Sequence, residues 1–231
     1  MEMPVQSAST SPYLMIWVRP RATIRRIVDQ DPRQKVIALV VIAAALNGLA
    51  HALAALRCPI MSTDLGVIRL FPVARLMLPP IIVFQTLAAL ILLYVNGWLL
   101  RWVGGLLGGV AKAVEVRAAL GWAQVPVIAS GIINVAATPY GVGMYHTIVR
   151  TAFLNPASVG LPTVMATVFF AAVLWEFIVG VGCIAEVHRF SSLRGLAAVV
   201  IGRLILIAGF AAMAMSSGAG AIAMHYFASN P

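Results

Sequence analysis

The sequence predicts an all-α protein, a polytopic transmembrane helical bundle of about five spans, with its N-terminus cytoplasmic and its C-terminus outside. Three observations predict it. Of 231 residues, 61% are hydrophobic and only 10% are charged, against roughly 25% charged in an ordinary soluble domain. Five apolar stretches reach the length of about 20 residues that a helix needs to cross hydrocarbon. Lys and Arg concentrate on alternate sides of those stretches.

The N-terminal segment, residues 1–35, comes first and is basic. Between Tyr13 and Gln30 it mixes Leu14, Ile16, Trp17, Ile24 and Ile27 with Arg19, Arg21, Arg25 and Arg26. Pro20 suits the first turn of a helix. Such a helix would lie in the interface with these four arginines as lipid-headgroup contacts. The alternative is a loosely structured positive-inside signal. The first long apolar run begins at Val36, behind this segment, and reads as an uncleaved anchor rather than a signal peptide.

The membrane domain, residues 36–231, carries predicted spans at 36–56, 76–100, 118–137, 162–187 and 196–215. Lipid offers the backbone no hydrogen-bond partner, so each must be helical. Arg203 interrupts the fifth, whose apolar character continues weakly to Ala228. Between spans two and three, Gly104, Gly105, Gly108 and Gly109 predict either a flexible turn or a close helix contact. Small residues four apart recur at Ala44/Gly48 and Ala208/Ala212, a spacing that lets helices approach.

Orientation follows from the basic residues. Segments placed inside hold Arg19, Arg21, Arg25, Arg26, Arg33, Lys35, Arg101, Lys112, Arg117, Arg189 and Arg194. Those placed outside hold Arg57, Arg69, Arg75 and Arg150. Eleven against four favours N-in, and an odd span number puts the C-terminus out. Trp98, Trp102 and Trp122 fall at the inner interface, and Tyr140, Tyr145 and Tyr226 at the outer one, where aromatic rings collect.

The net charge of +9 does not form one patch, so a nucleic-acid partner is not expected. Cys58 and Cys183 fall near opposite faces of the membrane and predict no disulfide. Four histidines, His51, His146, His188 and His225, are scattered singly, and no cofactor or metal is expected. There is no glycine loop before a Lys, no HExxH, no CxxC and no GxSxG, so no enzyme is predicted.

Polar residues within spans are costly unless paired, and mark the candidate site. Counting at 1.5 Å per residue puts Asn47 and Glu176 roughly 16 Å deep, and His51 and Gln85 roughly 22 Å deep. Asn96, Gln124 and Arg203 lie roughly 6–10 Å from the inner end. Two readings are open. Either these seven fix helix packing through interhelical hydrogen bonds, or they form a polar path centred on Glu176. Arg203 is within reach of Glu176 if spans four and five are antiparallel neighbours, with Glu186 as a competitor.

Three stretches resemble the bacterial branch of the Yip (Ypt-interacting protein) family of five-span membrane proteins. One runs from Trp17 through Pro20, Thr23 and Arg26 to Pro32. The second is Gly121-Trp-Ala-Gln-Val-Pro126. The third runs from Leu174-Trp175 to Glu186-Val-His188, followed by Ser191-Ser192 and Gly195-Leu-Ala197. The resemblance implies a five-helix bundle with N-in, C-out topology. Eukaryotic relatives bind prenylated Rab-type GTPases and act in vesicle traffic. The family's Asp-Leu-x-Gly-Pro motif does not precede the first span here.

The expected function is a non-enzymatic protein of the bacterial inner membrane, a scaffold or accessory subunit. Its expected partners are membrane lipids and other membrane proteins or a second copy of itself. The rival is a transporter or channel for an ion or small solute, with its path near Glu176.

Overall fold

The computed structural model describes residues 11–57, 62–63, 66–67, 71–137 and 161–229. Cys58, Tyr140, Tyr145 and His146 lie outside them, as do the side chains of His51, His225 and Tyr226. The described residues fold into eight helices: α1 (Pro12–Val18), α2 (Pro20–Gln30), α3 (Val36–Arg57), α4 (Phe71–Leu106), α5 (Ala113–Trp122), α6 (Val125–Ala137), α7 (Leu161–Val187) and α8 (Ser192–Ser229). A two-residue antiparallel ladder, Ser62–Thr63 with Gly66–Val67, lies between α3 and α4.

Among the described residues, four helical stretches are long and apolar enough to cross a membrane: Pro79–Leu106, Ala113–Ala136, Phe170–Val187 and Ser192–Met213. The shorter apolar stretch Val36–Ala50 belongs to α3. Each of these stretches overlaps one of the five apolar runs of the sequence, with different limits. The helices close into a ring. α3 packs on α4 and α6, α6 on α7, α7 on α8, and α8 returns to α4. Outward faces stay greasy: Phe84, Ile91, Leu174, Leu204, Ile207 and Phe210 are all exposed. In water so large an apolar surface would aggregate; in lipid it is the solvated face.

The third apolar run is two helices rather than one. Helix α5 ends at Trp122 and α6 starts at Val125. Pro126 is the cause: it has no N–H, and its ring collides with the carbonyl four residues back, that of Trp122. The chain steps across with Gln124 N–H donating to Gly121 O at 3.1 Å, and resumes with Ile128 N–H to Gln124 O at 2.9 Å. Helices α4 and α8, with 36 and 38 residues, overrun the predicted spans. Hydrocarbon thickness sets a minimum length, while capping residues decide where a helix stops.

The N-terminal segment is helical and folded onto one end of the ring, here called the collar end. Helix α2 packs on α5 and α7, and α1 on α2. Ile16, Ile24 and Ile27 are buried in one core with Val103, Val116, Trp122, Val179 and Ile184. Trp122 is therefore no interface anchor. It is 1% exposed, with Tyr13 of α1 at 5.2 Å between ring centroids. Trp98 and Trp102 are exposed.

Helices α4 and α7 finish at the collar end with the same cap. In each, a residue with positive φ, Gly108 (85°) or Arg189 (58°), turns the chain. The next amide then donates back over the last turn, Gly109 to Gly104 O at 2.8 Å and Phe190 to Ala185 O at 2.6 Å. This is the Schellman arrangement, which satisfies carbonyls the helix leaves open.

Candidate functional site

The ring places the intramembrane polar residues on its inside. Asn47 lies on α3, Gln85 and Asn96 on α4, Gln124 at the α5–α6 break, Glu176 on α7 and Arg203 on α8. All six line one cavity of about 500 Å³. Its remaining wall is apolar, with Val40, Ala44, Ala88, Leu92 and Leu206. Leu100, Ile184 and Val199, which also line it, are buried and belong to the same core as Ile16, Ile24 and Ile27 of the collar. The cavity volume falls in the range of small-ligand sites.

Within the cavity, Arg203 Nη2 donates to Glu176 Oε1 at 3.4 Å. The Arg203 guanidinium also lies over the Phe177 ring, 5.9 Å from its centroid. The antiparallel hairpin of α7 and α8 makes the pairing possible, because the two residues stand at matching heights on adjacent helices. Asn47 turns its amide back to Ala43 O at 2.9 Å. Gln85 has its own polar contact and packs by Gly48, where a Cβ would stand 3.1 Å from its Oε1. Among the described residues, neither Asn96 nor Gln124 has a side-chain hydrogen-bond partner. The seventh predicted member, His51, has its side chain outside the described residues.

Glu186 does not compete for Arg203. It sits ten residues from Glu176, about 15 Å along the helix, and α2 claims it. Arg25 Nε donates to Glu186 Oε1 at 2.6 Å, and a second guanidinium nitrogen also reaches that oxygen. Arg21 Nε lies 3.9 Å from Oε2, while its Nη2 donates to Phe190 O at 2.6 Å. So two of the four arginines predicted to face lipid headgroups also hold α2 to α7. Arg19 and Arg26 are exposed.

Sequence reasoning passed over His188, which the structure buries to 1% exposure. It stacks on Phe190 with ring centroids 5.1 Å apart. Gly104 and Gly109 leave room for it: a Cβ on either would overlap the imidazole. Neither ring nitrogen makes a well-formed hydrogen bond. Burial holds the ring below the usual histidine range, against weaker opposing pulls from the Leu100 backbone and the Glu115 charge. The signal was the glycine run itself, which serves as a close contact rather than a loose turn. Among the described residues, no group of three or more His, Cys, Asp or Glu side chains could hold a metal ion.

The Yip1 domain family matches residues 14–215 of the chain. No protein of curated function matches it, and neither does any solved structure.

Proposed function

The chain belongs to the Yip1 domain family, and on that premise we propose a non-enzymatic protein of the bacterial inner membrane that acts by binding. In this reading it is a scaffold or accessory subunit for other membrane proteins or lipids. The supporting observation is the inside-out division of its surface. Helices α4, α7 and α8 expose large apolar side chains over their outer faces, while the intramembrane polar groups gather inside and partly pair with one another. A protein built this way offers partners its greasy flanks and its basic collar, where Arg19, Arg21, Arg25 and Arg26 approach anionic lipid at about 1 kcal/mol each. Purification of the full chain in mild detergent, with identification of co-purifying proteins and lipids, tests it. A stoichiometric membrane protein or lipid is expected. A lone, lipid-free chain that turns over a substrate would overturn it.

A second reading, transport of an ion or small solute, draws on the cavity lined by Glu176, Arg203, Asn47 and Gln85. Single cysteines at Ala44 and Ala88 discriminate between the two. Labelling by a membrane-impermeant thiol reagent from one side favours transport; protection from both sides favours the binding reading. Both readings use N-in, C-out topology, which tags at Ser7 and Ser229 would test by their accessibility in intact cells.

A further inference from the structure

The cavity has lining residues that reach the outer surface of the bundle and a lining of no net charge, and the two together define an occupant. Helix α4 approaches different neighbours at its two ends. Near the collar, a Cβ on Gly202 of α8 would stand 2.7 Å from Leu100 Cδ2. Farther along, a Cβ on Gly48 of α3 would stand 3.3 Å from Ile82 Cα. So the close contacts of α4 pass from α8 near the collar to α3 farther along. Two cavity-lining residues reach the outer surface of the bundle: Phe84 of α4, 73% exposed, and Arg203 of α8, whose side chain is 56% exposed. Both stand in stretches long and apolar enough to cross a membrane, so an occupant that enters past them comes from the bilayer.

The polar lining holds one carboxylate, one guanidinium and four carboxamides. An ionic group of either sign would meet a like charge together with its opposite, and in a low dielectric such a balance gives little net attraction. Asn96 and Gln124 each offer an amide donor and an acceptor without a side-chain partner among the described residues. Amide groups in a membrane need such partners. A neutral group able both to donate and to accept satisfies them.

We propose that the cavity binds the uncharged, hydroxyl-bearing headgroup of a membrane amphiphile entering between α4 and α8. The headgroup meets Asn96, Gln124 and the Glu176–Arg203 pair, and the acyl chains leave past Phe84 and Leu206 into the bilayer. This rests on the reading that the protein acts by binding, and names the ligand class of the cavity.

Three photoreactive lipids with identical diazirine-bearing acyl chains test it on the full chain in nanodiscs. They are a diacylglycerol, a phosphatidic acid and a phosphatidylcholine. The diacylglycerol is expected to label peptides containing Phe84 or Leu206 more than the other two, by about fivefold for each hydrogen bond gained. The double variant Asn96→Leu/Gln124→Leu is expected to remove that preference while labelling around the outward-facing Leu174 persists. Should the double variant not fold, competition on the native chain decides: unlabelled diacylglycerol suppresses the signal and phosphatidylcholine does not. Equal labelling by all three lipids, preference for phosphatidic acid, or indifference to both variant and competitor would overturn the proposal. Any of these would leave the co-purification result for the binding reading intact, so the two fail separately.

Discussion

Arg203 and Glu176 join α8 to α7 inside the bundle through a single guanidinium–carboxylate contact of 3.4 Å, beside a cavity lined by four carboxamides. The pair is unequally covered: the Glu176 side chain is 16% exposed and that of Arg203 56%. Removing one partner strands the other charge, and removing both does not.

Glu176→Gln and Arg203→Gln should each lower the detergent melting temperature, and the double variant should lie above the sum of the two losses. Coupling is expected at about 0.6 kcal/mol, the membrane average, because the contact is long and half open. Strict additivity in a double-mutant cycle would show that the pair contributes nothing.

Glu186 holds α2 to the collar through Arg25 and Arg21. Glu186→Gln should release α2 without melting the ring. Amide exchange over 20–30 is expected to rise several-fold, matching about 1 kcal/mol for a charged hydrogen bond discounted for exposed arginines. Exchange over α3 should stay constant. Unaltered exchange in α2 would mean that Ile24 and Ile27 alone hold it.

Gly195 lets α8 start against α7. A Cβ there would fall 2.5 Å from Ala185 Cβ and 3.1 Å from Val181 O. Backbone cannot step aside as a flexible side chain can, so Gly195→Ala should cost about 1–3 kcal/mol. Gly209→Ala, with nothing within 4 Å, is the control and should be neutral or better. Equal melting temperatures for both variants would refute the close crossing.

Acid should loosen the collar through His188. Its folded-state pKa lies below the ordinary value, so the opened state binds a proton first and stability falls as pH drops. The loss begins near the ordinary histidine value of about 6.5 and grows until the lower folded value is passed. Amide exchange around 104–109 and 188–190 should quicken over that range, and His188→Leu should remove the dependence. Gly104→Ala should produce a similar loosening at neutral pH, while Gly105→Ala, with an open site, should not. A pH-independent exchange rate in the native chain would rule out the mechanism.

Much of this architecture was legible in the residues alone. Apolar runs long enough to cross hydrocarbon marked the spanning helices, because lipid leaves the backbone no other solution. Polar residues at 47, 85, 96, 124, 176 and 203 stood out for the same reason, as costly exceptions in greasy surroundings. Their common destination could not be read. Period and composition act over one helix, whereas the ring depends on which helix packs beside which, a choice made by close contacts such as Gly48 on Ile82 and Gly202 on Leu100. Trp122 shows the same limit. Its position near the end of an apolar run pointed to an interface, and only the docking of α1 and α2 turned it into core.

The sequence by itself determined where the chain is greasy enough to enter a membrane and which few side chains would resent it. The tertiary structure alone decided that six of those side chains meet in one cavity, that Glu186 answers to α2 and leaves Arg203 to Glu176, and that His188 is sealed beneath two glycines. The physical reason is range. Hydropathy and helix formation are settled between neighbours in the chain, while burial, pairing and cavities arise between residues separated by tens to more than a hundred positions.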